Sequence, residues 1–137
     1  MNRDEVFARL APALRGRGLR LAVLFGSGAR DALRADSDVD VGIVPLDATM
    51  TLTEELALQA ALERAAGRCV DLVRLDRAST LLRWRAAREG LPLHSLEPRD
   101  WPRFVAQAGI EHGDFAPLYA RAAERLRRRI ASGARAK

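Results

Sequence analysis

Asp38 and Asp40 stand one residue apart at the mouth of an apolar run that ends at Val44. If that run is a strand, side chains alternate across it, so Val39, Val41 and Ile43 share one face and the two aspartates share the other. The apolar set belongs in a core, which leaves two carboxylates side by side where their repulsion costs energy unless a cation neutralises it. Asp71 sits between Val70 and Leu72 in a second strand-like run and has the same surroundings. Three acids on neighbouring strands suit a hard cation, and Mg²⁺ prefers one or two carboxylates with water and substrate phosphate completing its octahedron.

A place for that phosphate is offered by Gly26-Ser27, which closes the preceding apolar run. A glycine directly after a strand permits unusual dihedrals and close backbone approach. Ser27 adds a hydroxyl and amide donors at the start of the short stretch "GARDAL", whose helical N-terminus would favour an anion. Arg30 could clamp phosphate in a bidentate manner, or it could be one more surface arginine in an arginine-rich chain. Taken singly, a Gly-Ser pair is a turn, Asp-x-Asp protects a strand edge and Asp71 is an exposed ladder residue. Their combination points to phosphoryl chemistry.

The elements that must hold these residues are legible as alternating periodicities. Residues 3–15 place Val6, Phe7, Leu10 and Leu14 on one helical face, with Gly16 and Gly18 beyond the end. Strands are expected at 20–25, 39–44 and 68–75, with a short fourth at "LPLHSL". Between them lie a helix that opens on the capping box Thr51-x-x-Glu54 and closes at Gly67, and a second helix ending near Gly90. From Pro98 onward the chain reads helical, with a break expected at Gly113-Asp114 and a last helix turning Phe115, Leu118, Tyr119, Ala122, Leu126 and Ile130 inward. Strands alternating with helices give an α/β or α+β domain.

The 137 residues are expected to form a single domain with a basic C-terminal helix and tail at about 115–137. Residues 121–137 hold seven basic side chains against Glu124, so the net charge of +5 belongs to that segment. It could attract RNA or an acidic partner, or be a solvated helix face. No run of 18 apolar residues is present, and the opening "MNRDEVFARL" has acids where a secretory leader keeps a basic end, so a cytoplasmic protein with no membrane contact is expected. A lone Cys69 with His94 and His112 lacks zinc-ligand spacing, which leaves metal binding to oxygen. Trp84 and Trp101 are half-buried anchors or partner contacts.

The residues "GSGARDALRADSDVDVGIV" followed by "CVDLVRL" resemble the minimal nucleotidyltransferases of the DNA polymerase β-like superfamily, and especially the MNT antitoxins paired with HEPN toxins. "REGLPLHSL" and "GDFAPLYARAAERL" extend the resemblance over nearly the whole chain; Gly28 and Asp31 depart from the usual pattern. The resemblance implies a small mixed sheet with helices packed mainly on one face. It also implies a pair of Mg²⁺ ions held by Asp38 and Asp40 with Asp71 as the third acid, and ATP with its phosphates at Gly26 and Ser27. The implied reaction is transfer of AMP to a tyrosine hydroxyl of a HEPN RNase toxin in a hetero-oligomeric complex. The alternatives are an antitoxin that acts by binding alone, and a nucleotidyltransferase for a small molecule or RNA.

Overall fold

The computed structural model describes residues 2–26, 29, 38–115, 124, 125 and 127–131. The element order is α1 (Arg3–Leu14), β1 (Leu19–Phe25), β2 (Val39–Pro45), α2 (Leu52–Ala66), β3 (Val70–Arg74), α3 (Thr80–Glu89), β4 (Leu91–Ser95) and α4 (Asp100–Phe115). The strands form one sheet in the order β3-β2-β1-β4. The β1–β2 and β1–β4 pairs are antiparallel, and β2–β3 is parallel, with α2 as its crossover.

Local chemistry sets the helix ends. Asn2 caps α1 by accepting from the Glu5 amide at 2.9 Å, and Thr51 caps α2 by accepting from the Glu54 amide at 3.2 Å. The far end of α2 closes on Gly67 in the left-handed region, at φ +71°, where a side chain would be strained. Ser79 caps α3 through the Leu82 amide.

The mixed sheet is as expected, but its helices divide between the two faces instead of gathering mainly on one. The cause is β1, whose run LRLAVLF is apolar on both sides. Ala22 and Leu24 join Val39, Val41, Ile43 and Val70 in a core roofed by Leu10 and Leu14 of α1 and Leu58 and Leu62 of α2. Leu21, Val23 and Phe25 face a second core that includes Ala86 and Ala87 of α3 and Phe104 and Ala108 of α4. Each fully buried leucine contributes roughly 2 kcal/mol of transfer free energy, so both faces are held. The aspartates therefore lie at one end of a covered face, not on a face left open to solvent.

Helix α4 runs through Gly113 to Phe115 without the expected break. A glycine in a helix interior costs only about 1 kcal/mol, and this end is tied to α3 by the Arg83–Glu111 ion pair at 3.0 Å and by the stack of Trp84 on His112 at 5.1 Å. Of the residues expected to turn inward in the last helix, Ile130 is instead 58% exposed; Leu118, Tyr119, Ala122 and Leu126, and the side chain of Phe115, lie outside the described residues. Among the described residues no helix is long and apolar enough to cross a membrane.

Candidate active site

Strand β2 lies inside the sheet, and its register fixes what flanks Asp40: Phe25 of β1 on one side and Asp71 of β3 on the other. Asp38 precedes the strand by one residue and is exposed, Asp71 is exposed, and Asp40 is half-buried between them. The three predicted acids are thus brought to one end of the sheet, on the face that carries α3 and α4.

The field at this point is negative. Burial, followed by the charge of the Asp71 carboxylate and more weakly that of Asp38, pushes the Asp40 carboxyl above its ordinary value, while Arg85 on α3 opposes the shift. Arg85 is a cation that sequence reasoning did not single out; in a chain with 23 basic residues nothing in its spacing marks it.

Gly26 ends β1 with φ +71°. A side chain there would be strained, and a Cβ would overlap Asp40 Oδ2 and crowd the rest of its carboxylate. The turn and the acid are in direct apposition, and only glycine permits it. Gly42 makes a second close approach: a Cβ would come within 2.6 Å of Leu75 Cδ1, so its absence lets Leu75 lie across β2. Ser27 and Arg30, and the departures at Gly28 and Asp31, lie outside the described residues.

Among the described residues, no three His, Cys, Asp or Glu side chains close into a metal cage. What is present is an under-neutralised acid cluster against a glycine turn, which fits a hard cation that takes one or two carboxylates and draws its other ligands from water and phosphate. The two histidines and Trp101 make contacts elsewhere in the fold. His94 Nε2 lies 3.1 Å from the Leu19 carbonyl, His112 stacks on Trp84, Trp101 stacks on Phe104 at 6.0 Å, and Cys69 is a free, exposed thiol.

Residues 10–99 match the family described as polymerase beta, nucleotidyltransferase. A Methanocaldococcus jannaschii protein, provisionally named a protein adenylyltransferase, is 30% identical over 91 residues, which span 66% of this chain and 97% of that protein. Two solved structures share the fold. A toxin–antitoxin with AMP-PNP superposes with a TM-score of 0.68 at 23% identity, covering 92% of this chain and 98% of that one. A Shewanella oneidensis structure of tri-AMPylated HEPN toxin in complex with MNT antitoxin superposes with a TM-score of 0.67 at 22% identity, covering 90% and 98%.

Proposed function

Because the chain belongs to the polymerase β nucleotidyltransferase family, we propose that it is an antitoxin that transfers AMP from ATP to a tyrosine hydroxyl of a HEPN RNase toxin and so silences it. The observation that carries this reading is the register pairing of Asp40 with Asp71 beside Asp38 and Gly26. Support for the acceptor comes from the neighbour solved with an AMPylated toxin and from the relative's name.

Asp38 and Asp40 are the residues that would hold a divalent cation, Mg²⁺, as a pair of ions across the site. When bound, it would neutralise charge on the triphosphate and on the attacking oxygen. Asp71, exposed beside Asp40, accepts the proton from the incoming hydroxyl. The hydroxyl oxygen forms the new bond to the α-phosphorus, the bond from that phosphorus to the bridging oxygen breaks, and pyrophosphate leaves. The Gly26 turn, with Ser27 and Arg30, receives the phosphates. Because the protein supplies no covalent intermediate, its contribution is position and charge.

The test is incubation of the purified protein with α-labelled ATP, Mg²⁺ and the product of the adjacent gene, together with the Asp38→Asn and Asp40→Asn variants. Label should pass to the toxin tyrosine with the parent protein and not with either variant. Label on RNA or on a small hydroxylated molecule but never on protein would replace this acceptor. Silencing of the toxin that survives both substitutions would replace the enzyme with a binding antitoxin.

A further inference from the structure

At the other end of the same sheet face, the wall changes sign. Leu21 and Val44 are register partners there, four residues back along β1 from the Phe25–Asp40 pair, a separation of about 13 Å at the rise of a strand. Between the two ends α3 is packed down on β1, so tightly that a Cβ on Gly90 would overlap Val23 and the Ala86 carbonyl. The two openings are therefore separate places on the surface.

The second opening is a cavity of about 440 Å³, with Leu21, Val44 and Phe104 as its apolar wall. Four arginines line it, Arg20, Arg83, Arg99 and Arg103, together with two acids, Glu97 and Asp100. Arg83 is committed elsewhere: its Nε donates to Glu111 at 3.0 Å, its Nη1 donates to the Leu75 carbonyl, and its guanidinium lies 5.1 Å over the Phe104 ring. That contact fixes the aromatic wall and leaves three arginines and two acids.

The two carboxylates are themselves engaged. Asp100 is buried, with one oxygen accepting from Arg20 Nη1 at 3.3 Å and the other from the Glu97 amide at 2.8 Å. Glu97 accepts from Arg99 Nε at 2.9 Å, a pair with both members substantially exposed, worth little in water and easily exchanged for a better partner. The remaining donors of Arg20 and Arg99, and the exposed Arg103, whose charge also acts on Asp100, lie around a pocket with an aromatic side. Guanidinium forks match the two-oxygen edge of phosphate and carboxylate alike.

The geometry points to a second binding site, independent of the acid cluster, that takes an oxyanion, a phosphate or carboxylate group, carried on an apolar or aromatic body against Phe104. A volume of this size is that of a small-molecule site. The site needs no metal, and it does not depend on the reaction proposed above.

The experiment is a titration of the ¹⁵N-labelled full chain in EDTA with phenyl phosphate and, separately, benzoate, which share a ring and differ in the oxyanion, with benzyl alcohol as the uncharged control. Saturable shifts at Arg99, Arg103 and Phe104 with either anion and not with the alcohol are expected. The tighter of the two identifies the oxyanion as phosphate or carboxylate. Arg103→Glu should weaken binding at least tenfold while Asp40→Asn leaves it unchanged; should Arg103→Glu fail to fold, Arg99→Glu is read in the same way. Shifts that never saturate, that saturate equally in the charge-reversed variant, or that are confined to Gly26, Asp40 and Asp71 would overturn the proposal.

Discussion

Asp40 and Asp71 are register partners across the parallel β2–β3 pair, the first half-buried and the second exposed. Parallel pairing in this register brings like charges together across two neighbouring strands. The acid cluster therefore works against folding and in favour of a cation.

The first prediction follows directly. In EDTA at neutral pH, Asp40→Asn should melt no lower than the parent, because it removes an ionised group that burial and its neighbours disfavour. Added Mg²⁺ should raise the melting temperature of the parent and leave that of the variant where it was, as expected for a ligand that binds only the folded state. Transfer activity should fall on the order of a hundredfold or more in the variant. A variant that melts well below the parent without metal would show that Asp40 is structural.

Gly26→Ala should damage the site by a different route. Left-handed backbone costs a side-chain-bearing residue roughly 1–2 kcal/mol, and the new methyl must displace the Asp40 carboxylate it overlaps. Transfer should drop more than the modest loss of stability explains, and the Mg²⁺-dependent rise in melting temperature should shrink. An alanine variant with the parent's metal response would break the claimed link between turn and acid.

Much of this site could be read from spacing. Alternation alone put Asp38 and Asp40 on one face, and the Val-Asp-Leu triplet placed Asp71 with them, because the period of two in a strand holds whatever the tertiary context. The sequence could not say that the aspartates' own face was roofed as well. Reading β1 as apolar on both sides required its neighbours, since a short run of this kind is equally a half-buried strand with tolerated outward residues. Nor could it find Arg85 or the arginine cavity. Both are made by α3 and α4 meeting strands distant in the chain, and in an arginine-rich sequence nothing local separates one guanidinium from another. Gly113 misled for the opposite reason: local propensity argued for a break, and packing of α4 on α3 overrode it.

Gly90 shows how much such packing can demand of a residue with ordinary dihedrals, its φ being −80°. The cost of Gly90→Ala is predicted to come entirely from overlap with the Ala86 carbonyl and Val23. Backbone crowding of this kind relaxes poorly, and a loss of about 2–3 kcal/mol is expected in urea unfolding. Gly18→Ala provides the contrast, since φ is +69° there but nothing lies within 4 Å of the added methyl; its cost should be only the backbone strain of roughly 1–2 kcal/mol. If the two variants unfolded at the same urea concentration, packing at Gly90 would not be the cause.

Arg74 supplies a pH-dependent prediction well removed from the acid cluster. On β3 its guanidinium gathers Asp76 at 2.7 Å, Glu55 at 3.4 Å and the carbonyls of Ala48 and Met50 at 3.3 Å each, and so pins the loop between β2 and α2. Its hydrogen bond is the largest cause holding the Asp76 carboxyl below the ordinary aspartate value, and the same contact raises Arg74 further above its own. A carboxyl depressed in the folded state contributes stability above its unfolded value, about pH 4, and loses that contribution as pH falls through the lower folded value. Arg74 stays charged over the whole range, so within this hydrogen bond it is Asp76 that titrates. Asp76→Asn should therefore destabilise the protein at pH 7 by about 2 kcal/mol, the size of a hydrogen bond to a charged group. The gap between parent and variant should hold at pH 5 and narrow below pH 4, as the parent's Asp76 takes up a proton. Melts at pH 7, 5 and 3 measure this directly, and a gap of constant size would mean that the pair acts through packing of the loop and not through charge.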